Sequence, residues 1–174
     1  MGKRTSYPRK SRDYYPTPTE AVDPILRHLR PRTLFDEPCV GGGHLVRCLE
    51  EAGHLCVSAS DLASGQDAME IQSTVADCFI TNPPWKWEVL HPLITHLSDL
   101  APCWLLLNAD VAHNKRMAVH MARCVKFVSV GRCSWMGNKV KGYENAAWFL
   151  FDANREGQTQ FYARGAPQPM IEAP

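Results

Sequence analysis

Short apolar runs, each bounded by glycine, proline, asparagine or aspartate, alternate along this chain with stretches of helical periodicity. Residues 33–36, Thr-Leu-Phe-Asp, predict a short strand, followed by a glycine-rich turn over 37–43. Leu45, Val46, Leu49 and Ala52 then recur at helical spacing, and Gly53 suits the helix stop. Residues 55–60 predict a second strand ending at Asp61, and Cys78, Phe79 and Ile80 a buried one. A nearly continuous apolar run over 103–107 predicts a further strand, and residues 125–130 and 146–151 two more. Residues 64–76 are ambiguous, because Ala68, Met69 and Ile71 suit a small strand or a helical turn equally.

An opening helix is announced by Thr17 as N-cap, Pro18 at the first helical position and Glu20 three residues after the cap, which together make a capping box. Val22, Ile25, Leu26 and Leu29 form its apolar face, and Pro24 is expected to kink it or split it into two turns. Residues 87–97 predict a helix interrupted at Pro92, and residues 112–123 another. Strand, glycine turn and helix in succession start an α/β unit in which a ligand lies against the backbone at the strand's carboxyl end. Residues 1–13 are basic and aperiodic and read as a flexible arm, and residues 14–152 as a single domain. Residues 153–174, with three prolines and little apolar content, read as a poorly ordered tail.

Composition adds exclusions. A chain of 174 residues with 45% hydrophobic content supports one core. It has no run of about eighteen apolar residues and no apolar segment near the N-terminus, so neither a membrane span nor a signal peptide is expected. Seven cysteines without a Cys-x-x-Cys spacing argue against a disulfide framework and a zinc site, which points to a reducing, cytoplasmic setting. No two histidines are three or four residues apart, so no helical metal site is expected. Net charge is only +1, but it is segregated. Lys3, Arg4, Arg9, Lys10 and Arg12 fall in an acid-free stretch over 1–12. Lys115, Arg116, Arg123, Lys126, Arg132, Lys139 and Lys141 fall in another over 111–143. Such segregation suits a face for a phosphate backbone, and equally an ordinary solvated face.

The most unusual chemistry sits at Asn82-Pro83-Pro84-Trp85, directly after the apolar run. Neither proline has an N–H, and each restricts the residue before it, so the chain leaves the strand extended. The Asn82 amide oxygen and the Pro83 carbonyl could then accept both hydrogens of one amino group, with Trp85 as a stacking surface for the ring that carries it. A turn capped by an aromatic is the plainer alternative. The glycine turn breaks both the Walker spacing and the dinucleotide fingerprint, the latter at its third glycine. Asp61 suits a ribose, whose hydroxyls can donate to one carboxylate, and it suits a turn cap as well. His44 begins the helix beside the glycine turn. Trp87 either lines a target pocket or covers the core, and Trp104 and Trp148 read as core residues. Trp135 with Arg132, Asn138, Lys139 and Lys141 resembles an aromatic and basic nucleic-acid contact, although a charged hairpin loop needs no function.

Together these motifs resemble the class I methyltransferases that use S-adenosylmethionine, and among them the amino-methyltransferases acting on adenine N6, with the short phage-encoded DNA enzymes nearest. The resemblance spans residues 14–85. Tyr15-x-Thr17-Pro18 is similar to the family's N-terminal cofactor motif, Glu37-Pro38-x-x-Gly41-x-Gly43 to its glycine-rich loop, Asp61 to its ribose acid and Asn82-Pro83-Pro84-Trp85 to its catalytic motif. The resemblance implies a doubly wound, mostly parallel sheet of about seven strands with an antiparallel last strand. It implies a cofactor held by Glu37, Gly41, Gly43 and Asp61, with Asn82 also touching it and Asp67 a weaker candidate for the cofactor adenine. DNA is the implied substrate. Neither residues 131–145 nor the tail is large enough for a separate target-recognition domain, so relaxed site choice is expected. Methylation of RNA or of protein glutamine by the same fold, and a nucleic-acid-binding module that has lost catalysis, are the alternatives.

Overall fold

The computed structural model describes residues 16–138, 140–155 and 157–165. The basic arm over 1–13, Tyr15 and Lys139 therefore lie outside the described residues. A seven-stranded sheet runs through the molecule in the order β2-β1-β3-β4-β6-β5-β7. Its strands are β1 (Leu34–Glu37), β2 (Leu55–Ala59), β3 (Cys78–Thr81), β4 (Cys103–Asn108), β5 (Cys124–Gly131), β6 (Ala146–Phe151) and β7 (Gln160–Tyr162). All adjacent pairs are parallel except those made by β6, which is antiparallel to both β4 and β5. The α/β class and the mostly parallel sheet with an antiparallel strand are therefore as expected.

Helices cover both faces, and the alternation of side chains along β4 shows how. Trp104 and Leu106 face a cluster with Ala21, Val22 and Ile25 of α1 (Thr19–Leu26) and Leu45 and Leu49 of α2 (His44–Glu51). Cys103, Leu105 and Leu107 face the other cluster, built with Leu90, Leu93, Ile94 and Leu97 of α3 (Trp87–Leu100). A strand buried on both faces has no polar side to show, which is why its sequence is an unbroken apolar run. Trp148, fully buried, clamps the first helix to the sheet by donating its indole N–H to Ala21 O at 2.7 Å. No helix among the described residues is long and apolar enough to cross a membrane.

Several local expectations change. The capping box does not form: α1 starts at Thr19 without a side-chain cap, because Glu20 Oε1 accepts from Ser134 N at 2.6 Å and Thr17 faces Asn82 instead. Pro24 and Pro92 both lie inside helices that continue past them. The carbonyls that lose a partner belong to Glu20 and Glu88, both exposed, so water can take the place of the missing N–H. The helix expected over 112–123 shrinks to one turn, α4 (Ala118–Met121), after two 3-10 turns, Ala109–His113 and Lys115–Met117. Asn108 and Asn114 explain this, since each side chain accepts from the N–H two residues on and competes with helix formation.

Residues 64–76 form no strand, only a 3-10 turn at Ala68–Glu70, and so β2 lies at the sheet edge. The seventh strand comes from the segment expected to be a poorly ordered tail. Gln160–Tyr162 pairs with β5, with Phe161 stacked on Phe127 at 5.3 Å and Thr159 Oγ1 donating to Cys124 O at 2.7 Å. Strand pairing thus continues beyond residue 152, to Tyr162.

Candidate active site at the carboxyl edge of the sheet

Parallel strands β1, β3 and β4 end on the same edge, and the loops leaving them bring the motifs together. After β1 the chain turns through Gly41 (φ 49°) and Gly43 (φ 71°), values that a side chain at either position would strain. Val40 N donates to Ser60 O at 2.9 Å and Gly41 N to Asp61 Oδ2 at 3.0 Å, so this turn is laced to the end of β2. Asp61 also caps a 3-10 turn, its Oδ1 accepting from Ala63 N at 2.7 Å. The expected ribose acid is therefore a turn cap as well, and it positions the glycine loop. His44 is exposed at the first position of α2.

Glu37, the last residue of β1, is only 2% exposed. Its Oε1 accepts from Cys39 N at 3.1 Å. Burial pushes its carboxyl up to about 8, opposed by the Thr81 hydroxyl and the Cys39 N–H and reinforced by the negative charge of Asp61. Glu37 and Pro38 open onto a cleft of about 480 Å³ that runs past Ser60 to Asp67. Four acidic side chains, Glu37 among them, and no basic side chain line it. Asp67 Oδ1 accepts from Met69 N at 2.9 Å, so it too caps a turn while facing the cleft. Such walls suit a ligand rich in hydrogen-bond donors and positive charge.

The Asn-Pro-Pro-Trp step leaves β3 between this cleft and β4. Asn82 Nδ2 donates to Thr17 Oγ1 at 3.2 Å, and Thr17 itself is buried at the foot of α1, next to Pro18. That bond engages the donor end of the amide, Oδ1 being its acceptor. Pro83 is buried and Pro84 partly so. Trp85 is held by its indole N–H, which donates to Leu106 O of β4 at 3.0 Å. Trp135, from the loop after β5, meets Trp85 nearly at right angles, with ring centroids 5.8 Å apart. Trp87 packs on the core and against His91, 4.5 Å between centroids, which favours the covering role.

In the loop after β5, Arg132, Asn138 and Lys141 are exposed. Asn138 Oδ1 accepts from Val140 N at 3.1 Å and from Ser134 Oγ at 3.4 Å, so it folds the loop. The sequence pattern did not reveal Leu106 as the residue that anchors Trp85, since a backbone carbonyl leaves no mark on residue type. Thr17 was assigned to capping, because Thr before Pro and three residues before Glu is a cap signature until a distant amide competes for it.

No protein-family model and no curated protein sequence matches this chain. Solved structures do. A candidate RNA methyltransferase from Pyrococcus horikoshii superposes with a TM-score of 0.59 at 16% identity, over 84% of this chain and 89% of that one. The methyltransferase subunit of a type I restriction-modification system from Streptococcus thermophilus gives 0.54 at 9% identity, over 86% of this chain and 47% of that one. A dimethyladenosine transferase from Plasmodium falciparum gives 0.51 at 14%, over 80% and 62%. At these identities the similarity is one of architecture, and the fold is that of the class I methyltransferases.

Proposed function

We propose that the protein transfers a methyl group from S-adenosylmethionine to the N6 amino group of adenine in DNA, with relaxed choice of site. The observation that carries this reading is that both ends of the Asn-Pro-Pro-Trp step are held, Asn82 through Nδ2 by Thr17 and Trp85 through its indole N–H by Leu106 O.

The residues present fit the cofactor. The cleft takes Glu37, Pro38 and Asp67 of the expected set into its lining, while Gly41, Gly43, Asp61 and Asn82 lie outside it. Its volume is within the roughly 300 to 1,000 Å³ of small-molecule sites, and its acidic lining suits a cationic ligand with hydroxyl donors. A Cβ placed on Gly43 would meet no atom within 4 Å, so the space over the glycine turn is open to a ligand. Glu37, Pro38, Gly41, Gly43, Asp61 and Asp67 would hold the cofactor, with Thr17, Pro18 and Asn82 closing the side towards the target. S-adenosylmethionine, when bound there, supplies an electrophilic methyl group.

The protein's own part is positioning and electrostatics. Trp85 offers its ring to an adenine turned out of the stack. Asn82 Oδ1 and the Pro83 carbonyl accept the two amino hydrogens, which draws N6 toward tetrahedral geometry and makes its lone pair available. Orientation of this kind is worth roughly 7 to 11 kcal/mol in well-placed intramolecular reactions. No strong base is needed beforehand: as the N6–methyl bond forms and the cofactor's sulfur–methyl bond breaks, S-adenosylhomocysteine would be released and the surplus N6 proton would pass to water.

RNA is the second reading, favoured by the structural similarity to a candidate RNA methyltransferase of nearly matching extent. The deciding experiment is transfer of labelled methyl to unmethylated DNA and RNA, with Asn82→Ala alongside and nucleoside analysis of the product. N6-methyladenine in DNA that vanishes in the variant is expected. Label in RNA alone would move the substrate, and label in neither nucleic acid with the cofactor still bound would overturn the reading.

A further inference from the structure

Given that nucleic acid is the substrate, we infer that Lys115 and Arg116 form a phosphate clamp on the far side of the target pocket from the loop after β5. The acid-free run over 111–143 is basic throughout in sequence, but the fold divides it. Because β5 runs parallel to β4, its first residues lie at the opposite end of the sheet from Asn82. Arg123 is there, bonded to Asp99 Oδ1 at 2.5 Å, and Lys126 stands 5.8 Å over the Tyr162 ring. Neither can reach the site. Among the described residues of the run, Lys115, Arg116, Arg132 and Lys141 remain near the carboxyl edge.

The turn that carries Lys115 and Arg116 is pinned at each end. Asn114 Oδ1 accepts from Arg116 N at 3.0 Å. Met117, fully buried, enters the same apolar cluster as Trp85 and Trp87. Ala109 N donates to Asn145 O at 2.8 Å, which joins this stretch to the loop that carries Trp135. Trp85 itself hangs from Leu106, two residues before β4 ends and this stretch begins. Lys115 and Arg116 are exposed, and neither makes a salt bridge within the described residues. Cations held on a rigid turn lose less freedom on meeting a phosphate than cations on a loose one.

A strand whose base enters the pocket carries a phosphate away on each side of that nucleotide. Trp135 packs against the cluster under α1 and α2, and Met117 belongs to the cluster under α3, so the loop carrying Arg132 and Lys141 and the turn carrying Lys115 and Arg116 are rooted on opposite faces of the sheet. Such contacts hold register without reading sequence, in keeping with relaxed site choice.

The test is the salt dependence of binding to an adenine-containing oligonucleotide, single-stranded and duplex. The proteins are the wild type, the double variant Lys115→Ala/Arg116→Ala and the control Arg155→Ala, whose residue is exposed at the other end of the sheet. Two lost phosphate contacts flatten the slope of log K against log salt by roughly 1.8 for duplex and roughly 1.4 for single strand. The fall in duplex affinity between about 50 and about 200 mM salt then becomes about tenfold smaller. The loss should appear in KM for the nucleic acid more than in kcat, with cofactor affinity kept and Lys115→Arg/Arg116→Lys restoring the slope. An unchanged slope in a wild-type-stable double variant overturns the clamp while leaving the methyl transfer standing. Equal flattening by Arg155→Ala overturns it too, since net charge alone would then explain the effect. A wild type that methylates neither DNA nor RNA removes the underlying reading instead.

Discussion

Thr17 and Asn82, sixty-five residues apart, are joined by a 3.2 Å hydrogen bond that ties the start of the first helix to the end of the third strand. Thr17 is buried, and its hydroxyl oxygen accepts from Asn82 Nδ2 and so holds the amide in place. Thr17→Val keeps the shape and removes the acceptor. A neutral hydrogen bond contributes about 1 kcal/mol, so kcat is expected to fall roughly fivefold with cofactor affinity little changed. Unchanged single-turnover methyl transfer would show that the bond has no part in orienting Asn82.

Trp85 separates two roles that one residue performs. Trp85→Phe keeps a ring but loses the bond to Leu106 O, and a modest effect on target affinity is expected. Trp85→Ala removes the stacking surface, worth roughly 1 to 3 kcal/mol per base, or about five- to 150-fold in affinity for an adenine oligonucleotide. Fluorescence titration with 2-aminopurine at the target position reads both. Equal affinities for the two variants would argue against stacking on this ring.

Glu37 predicts a pH dependence of stability. Its carboxyl is raised by burial to about 8, against an ordinary value near 4.5, so the folded protein holds this proton more tightly than the unfolded chain does. The sign follows: the stability associated with the protonated form is fully present below about 4.5 and is lost as pH rises through about 8. Glu37→Gln, a neutral isostere, should flatten that decline between these limits, by an amount of the order of a few kcal/mol. Thermal denaturation of both proteins across this range checks it, and parallel curves would mean that Glu37 is charged in the folded state.

The last strand can be tested by truncation. A chain ending at Asn154 lacks the pairing of β7 with β5, the Phe161–Phe127 stack and the Thr159 bond to Cys124 O. Its midpoint for thermal unfolding should drop by several degrees, as a loss of about 1 to 2 kcal/mol does in a domain of this size. A midpoint equal to that of the full chain would mean that β7 contributes nothing to the folded unit.

Much of the architecture was legible in the residues because it depends on local pattern. Residues 103–107 and 146–151 read as strands from their nearly unbroken apolar runs, and β4 and β6 lie side by side in the sheet with both faces covered. Glu37-Pro38, the paired glycines and Asn-Pro-Pro-Trp were visible as chemistry, because backbone shape and side-chain type there are set within a few positions. Other features depend on partners far along the chain. Gln160–Tyr162 is too short to announce a strand, and only the neighbouring Phe127 and Cys124 make it one. Asn114 looked like one residue in a helix until its side chain closed a turn.

The sequence alone thus determined the α/β alternation, the glycine turn and the amide-proline-aromatic step, all of which follow from steric and hydrophobic rules acting over a few residues. Tertiary structure decided what those pieces serve. It took Thr17 from its helix cap to orient Asn82, hung Trp85 from a β4 carbonyl, and gave Asp61 to the backbone of the glycine turn. It also carried one basic run across the full height of the sheet, so that only part of it stands near the pocket. The reason is physical: a hydrogen bond or a charge acts through space, and only the folded chain sets those distances.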